Sequence, residues 1–282
     1  MTAAPSFRSS ALTMVAAAFF FAAMSAAVKA AAGTLPNTVV VFFRNAVALV
    51  VLVPWMWHRR IGFGTGEPLQ HFVRGFSGLL AMSAFFYAIA HLRLADAVIL
   101  NYTLPLWLPL FERIWLGEPL DTRLALPLGV GFAGILLILK PGTELFAPAA
   151  LWALVSALLA AVGNVGVRAL TRTEPPERIV FYFALIGTLG SALPLPWTWV
   201  TPAGTAWWAL GAAGLFATAG QFALTRAYSS APAAQVGPFL YSSVVFSATF
   251  DWLLWRGTPD RWSAAGAGLV IASAILTLSR RS

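Results

Sequence analysis

Apolar residues run along this chain in stretches of about twenty, the length a helix needs to cross the hydrocarbon of a bilayer. Short connections rich in turn residues separate them, such as Gly33-Thr34-Leu35-Pro36-Asn37, residues 62–68, Pro175-Pro176 and Thr201-Pro202-Ala203-Gly204. The pattern predicts an all-α fold with ten spans, at about 11–31, 38–57, 71–90, 95–114, 124–140, 148–169, 178–198, 205–227, 232–254 and 262–279. No stretch between them is long enough for a water-soluble domain. Arg8, the apolar run 11–28 and Ala30-Ala31-Ala32 have the outline of a signal peptide. That run is nevertheless long enough to span, and the internal repeat described next requires it.

The segment from Tyr87 to Pro119 returns in degenerate form between Leu224 and Pro259. Leu94-Ala95-Asp96-Ala97 aligns with Ala231-Pro232-Ala233-Ala234, and Gly117-Glu118-Pro119 with Gly257-Thr258-Pro259. Residues 26–30 of the first span share the pattern of 165–169 in the sixth, and 39–43 resembles 179–183. The repeating unit is therefore five spans, residues 1–142 and 143–282. Five is odd, so the second copy enters the membrane from the opposite side. Such inverted repeats mark secondary transporters.

Composition agrees with a membrane protein. Only 10% of residues are charged, and the mean hydropathy is +0.79, against about 25% charged in soluble domains. The net charge of +8 therefore concerns orientation rather than nucleic acid. With the N-terminus in the cytoplasm, 12 of the 18 basic residues fall at inner ends and 5 at outer ends, namely Lys29, Arg93, Lys140, Arg256 and Arg261. Arg44 lies inside the second span. The positive-inside rule then places both termini in the cytoplasm. Absence of cysteine excludes disulfides and thiolate chemistry, and His58, His71 and His91 lack a metal-ligand spacing. No catalytic constellation, metal site or cofactor is expected, and so no enzyme.

Candidate chemistry lies on polar faces of the spans. The fourth carries Asn101, Tyr102, Thr103, Pro105 and Trp107, and the ninth carries Gln235, Gly237, Pro238, Phe239, Tyr241 and Ser243. Met82 and Phe86 in the third, Ser156 and Asn164 in the sixth, and Gln221 and Thr225 in the eighth complete the set. Pro105 and Pro238 each remove a backbone donor, which is tolerated at membrane depth where protein or a water-filled cavity satisfies the freed groups. With Gly237 they are candidate hinges. Met82, Phe86, Asn101, Tyr102, Trp107, Asn164, Gln221, Gln235, Phe239, Tyr241 and Ser243 are the candidate substrate contacts. The same groups could equally act as interhelical glue. Spans one, three, four, six, eight and nine are expected to line a cavity, with five and ten at the periphery. Lys29, Arg74, Glu112, Arg168 and Asp251 are expected near span ends, and Asp251 within reach of Arg256.

The stretch 88–120 resembles the EamA-type drug/metabolite transporters. Ala95-Asp96-Ala97, Pro105 and Gly117-Glu118 stand where that family has a helix-opening Ala-x-Ala, a mid-helix proline and a closing Gly-Glu. Lys29 and Arg44 also sit where the family often has basic residues. The second copy departs from the pattern, with Thr258 for the glutamate and Ala184 opposite Arg44. Within the family the chain looks most like the YddG-type amino-acid exporters of bacterial inner membranes. The resemblance implies a secondary transporter in the lipid bilayer that exports small metabolites by alternating access, without nucleic acid, and a monomer is the working expectation. Uncharged amides, hydroxyls and aromatics suit neutral or aromatic amino acids. Efflux of lipophilic drugs or organic cations is the alternative; it would call for an acidic residue in the cavity.

Overall fold

Prolines decide where several helices begin and where two of them break. The computed structural model describes residues 7–32, 35–92, 94–140, 147–255 and 261–279. Of the positions singled out above, Gly33, Thr34, Arg93, Arg256, Gly257, Thr258 and Pro259 lie outside the described residues, as do the side chains of Ala32, Phe86, Leu94, Ala95, Asp96, Ala97 and Asp251. Helix α1 (Phe7–Ala32) is followed by α2 (Asn37–His58), which Pro36 precedes in an extended conformation. Helices α3 (Pro68–His91) and α8 (Pro176–Ala192) carry proline at their first positions, where the missing N–H is no loss.

The fourth predicted span is not one helix. It consists of α4 (Leu94–Asn101), α5 (Leu104–Phe111) and a π-helix (Glu112–Leu116). Pro105 has no N–H to offer the preceding turn. At the break the Leu100 carbonyl accepts from both the N–H and the hydroxyl of Thr103, at 3.2 and 2.7 Å. Gly117 closes the π-helix with φ +69°, a left-handed conformation that a side chain would strain. The ninth span breaks in the same way, into α11 (Ala233–Val236), a 3-10 segment (Gly237–Tyr241) holding Pro238, and α12 (Ser242–Trp255). Here Ser242 Oγ donates to the Phe239 carbonyl. The remaining elements are α6 (Ala125–Leu139), α7 (Ala150–Leu170), the short α9 (Leu195–Thr198), α10 (Ala206–Ser230) and α13 (Arg261–Ser279).

Among the described residues, five helices are long and apolar enough to span by themselves: Phe7–Ala31, Asn37–His58, Thr122–Leu139, Ala150–Leu170 and Arg261–Ser279. The fourth and ninth expected spans are broken at proline. The exterior is apolar: Trp197 and Trp208 are each 83% exposed, and Leu12, Val50, Leu151 and Leu189 also point outward. Arg44, Asn45, Arg74, Glu112, Ser156 and Asn164 are buried. Charge inside and hydrocarbon outside reverse the arrangement of a water-soluble protein.

Small residues set the closest approaches. Helices α6 and α13 meet at Gly134 and Gly266, where a Cβ on Gly134 would stand 2.6 Å from the Gly266 carbonyl oxygen. Gly134→Val is therefore expected to destabilise the protein by about 1–3 kcal/mol, read as a lower melting temperature in detergent. Gly268→Ala, with open space around the added methyl, should melt with the parent.

Candidate functional site

Arg44 stands two turns into α2 and Arg74 in the second turn of α3, and both side chains turn into the interior, 9% and 5% exposed. They flank one ring. The Arg74 guanidinium carbon lies 4.0 Å from the centre of Phe183 on α8, and that of Arg44 lies 6.0 Å from the same centre, the geometry of cation–π contacts. Arg74 Nη2 donates to Gln221 Oε1 on α10 at 3.1 Å. Arg44 Nε points at Met24 Sδ on α1 at 3.3 Å, and its Nη1 at Met82 Sδ at 3.9 Å. Asn164, on the same helix as the neighbouring Gly163, is also buried.

Placing Arg74 here corrects the expectation of a position near a span end. Reading the third span from residue 71 leaves Arg74 in the first turn. Pro68 starts the helix a turn earlier and carries Arg74 inward. The sequence signal was the proline together with Gly78, which leaves room beside the arginine.

A second polar group lies at the break of α4 and α5. Asn101 Nδ2 donates to Ser156 Oγ on α7 at 2.8 Å. Tyr102 and Ser243 share a hydrogen bond between their hydroxyls. Trp107 Nε1 donates to Thr103 Oγ1 at 3.2 Å. The two proline breaks touch: a Cβ on Gly237 would stand 2.5 Å from Leu108 Cδ1 and 3.8 Å from Pro105 Cβ. Pro105, Gly237 and Pro238 are thus in one packed region, and all three are buried.

Other candidates lie elsewhere. Phe239 is 2% exposed and packs its ring edge-on to Phe7. Tyr241 is fully buried against α6, close to Gly131. Both belong to the main apolar cluster. Gln235 lines a separate recess of about 400 Å³ with Glu112, Glu118, Asp121 and Arg123. Thr225 is buried with its hydroxyl unpartnered.

That recess belongs to an end of the bundle closed by carboxylates. Glu112, expected at an interface, is 2% exposed. Its Oε1 accepts from the Ala233 N–H and its Oε2 from the Ala234 N–H at 2.8 Å, so it satisfies donors at the start of α11. Glu118 pairs with Arg168 at 3.6 Å and Arg172 at 3.2 Å, and Arg168 Nη1 donates to the Tyr228 carbonyl at 2.8 Å. In the connection after α7, Glu174 accepts from Thr65 and Arg178, and Arg178 Nε donates to the Gly62 carbonyl at 2.9 Å. Burial pushes the Glu174 carboxyl upward, but the hydrogen bonds from Thr65 and Arg178, with the charge of Arg178, outweigh it and hold the group below the ordinary carboxylate range.

Residues 8–140 and, separately, 147–279 match the EamA-like transporter family. The pseudopaline exporter of Pseudomonas aeruginosa (strain UCBPP-PA14) is 37% identical over 252 residues, covering 88% of each chain. The S-adenosylmethionine uptake transporter of Rickettsia felis (strain ATCC VR-1525 / URRWXCal2) is 25% identical over 240 residues, 85% of this chain and 82% of its own. A solved crystal structure with 22% sequence identity superposes with a TM-score of 0.85 over 97% of this chain and 98% of its own, a likeness of fold. The two relatives differ in both substrate and direction, so the likeness to amino-acid exporters goes no finer than the family. The chain is a multi-pass membrane protein, a transporter rather than an enzyme, and it belongs to the EamA-like transporter family.

Proposed function

We propose that the protein exports a small, amino-acid-like metabolite across the bacterial inner membrane by alternating access. In this reading ten spans form two inverted repeats, residues 1–142 and 143–282, with both termini in the cytoplasm. One observation carries it. The polar pairs Arg74–Gln221, Asn101–Ser156 and Tyr102–Ser243 each join a residue of the first matched half to one of the second. Substrate sites of inverted-repeat transporters lie at the repeat interface, beside interrupted helices. The breaks at Pro105 and Pro238 supply those interruptions, and Arg44 with Met82 lies on the first-half side.

Counterflow of labelled metabolites in proteoliposomes tests the function. Asn101→Ala and Trp107→Ala are expected to lower flux by roughly ten-fold, the effect of losing one hydrogen bond to a bound solute. As an interhelical contact alone a bond such as Asn101–Ser156 averages about 0.6 kcal/mol, so Asn101→Ala should stay monodisperse and melt near the parent. Unchanged flux with lowered stability would assign these residues to packing.

The naturally cysteine-free chain also allows a direct test of topology. Gly64→Cys should react with an impermeant thiol reagent only from the cytoplasm, and Ala203→Cys only from outside. Labelling of both from one side would overturn the inverted-repeat reading.

A further inference from the structure

This inference rests on the transport reading and concerns the substrate class of the same central site. An arginine held within a membrane protein is costly and persists where it is paired or used. Two stand here, beside one another. Their guanidinium carbons lie 4.0 and 6.0 Å from the centre of the Phe183 ring, which puts them no more than 10 Å apart.

Among the described residues neither has a negative partner. Glu118 and Glu174 pair instead with Arg168, Arg172, Arg178 and His71. Besides the Phe183 ring, Arg44 directs its N–H groups at two thioether sulfurs, Met24 Sδ and Met82 Sδ, and a thioether is a weak acceptor. Arg74 gives one N–H to the neutral amide of Gln221, and its Nε is buried with no partner at all. The space for it is built in. A Cβ on Gly78 would stand 2.8 Å from Arg74 Nη1, and one on Gly163 would stand 3.2 Å from it. Both arginines are more than nine-tenths buried.

We infer that the central site binds a small organic anion carrying at least two carboxylates, one received by Arg44 and one by Arg74, with its skeleton against Phe183 and the methionines. Guanidinium groups take carboxylates through two parallel N–H···O bonds. Each carboxylate would replace a sulfur contact or an empty position with a charge-assisted pair. The anion brings the counter-charge that the fold omits. The sequence expectation of a neutral amino acid had left Arg74 out of the cavity. Organic cations are disfavoured, because they would meet two fixed positive charges. Export of such an anion also needs no proton relay: an inside-negative potential of 100 mV favours the outer side by about fifty-fold per negative charge.

The test uses the full-length protein, purified and reconstituted. Citrate, L-glutamate, L-glutamine, L-phenylalanine, glycerol 3-phosphate and tetraphenylphosphonium are compared for thermal stabilisation in detergent and for counterflow in proteoliposomes. Citrate and L-glutamate should stabilise the protein and exchange, and the neutral amino acids and the cation should not. Arg44→Gln and Arg74→Gln should each weaken carboxylate binding by about ten- to a hundred-fold, the loss of one hydrogen-bonded charge pair. Arg44→Lys keeps the charge without the fork and should fall between. If Arg74→Gln fails to fold, the probe comparison on the parent and the two Arg44 variants still decides. Flux of L-glutamine or L-phenylalanine without carboxylate binding would overturn the dianion site and leave the transport reading intact. Arginine-dependent carboxylate binding with no flux of any probe would do the reverse. Preference for glycerol 3-phosphate over both carboxylates, or carboxylate binding indifferent to the Arg44 and Arg74 variants, would also overturn the inference.

Discussion

Glu112→Ala is expected to be the most destabilising single substitution described for this chain. The side chain is 2% exposed, and its two oxygens accept from the Ala233 and Ala234 N–H groups at the start of α11. These donors open a helix of four residues, so no preceding turn satisfies them. Alanine would leave two buried N–H groups unpaired, each costing about 1–3 kcal/mol, and would empty the volume of a carboxylate. A loss of about 3 kcal/mol or more corresponds to a fall on the order of 10 °C in melting temperature for a chain of this size. Glu112→Gln keeps one accepting oxygen and should lose roughly half as much. A thermal melt of the solubilised protein reads both. An alanine variant melting within a degree of the parent would show that other groups or water cap α11.

Acid is expected to loosen the same end of the bundle through Glu174. This carboxyl is held below its ordinary range despite burial, by hydrogen bonds from Thr65 and Arg178 and by the Arg178 charge. His71 Nε2 lies 3.9 Å from Oε1. A carboxyl whose folded value is depressed contributes stability that is complete above its unfolded value, and that stability is lost as pH falls through the folded one. The melting temperature should therefore decline below about pH 4. Glu174→Gln should lower stability at neutral pH by about 1–3 kcal/mol and flatten the acid decline. An acid limb that is as steep in Glu174→Gln as in the parent would assign the loss to other carboxylates. The contact matters for architecture because Thr65 lies in the connection between α2 and α3, whereas Glu174 and Arg178 lie at the junction of α7 and α8. Glu174 thus fastens the first matched half to the second.

Local chemistry made much of this chain legible from its sequence. The length of the apolar runs predicted helices that cross a bilayer, and five described helices meet that standard unaided. Proline marked the breaks at Pro105 and Pro238, because a missing N–H acts within one turn of the chain, although the starts of α3 and α8 at Pro68 and Pro176 lie two to three residues before the expected ones. The family match falls on 8–140 and 147–279. Tertiary structure alone decided which polar groups meet. Helical periodicity gives the face a residue occupies but not the helix opposite it. Arg74 and Gln221 are 147 positions apart, Glu112 and Ala233 are 121 apart, and Arg44 reaches Phe183 on α8. Tyr241 and Phe239 share a segment with Ser243, yet they pack into the apolar cluster while Ser243 bonds Tyr102. The backbone changes from a 3-10 segment to α12 between Tyr241 and Ser242, so the side chains on either side do not follow one helical period. Which of them meets substrate depends on helices brought together from the far half of the chain.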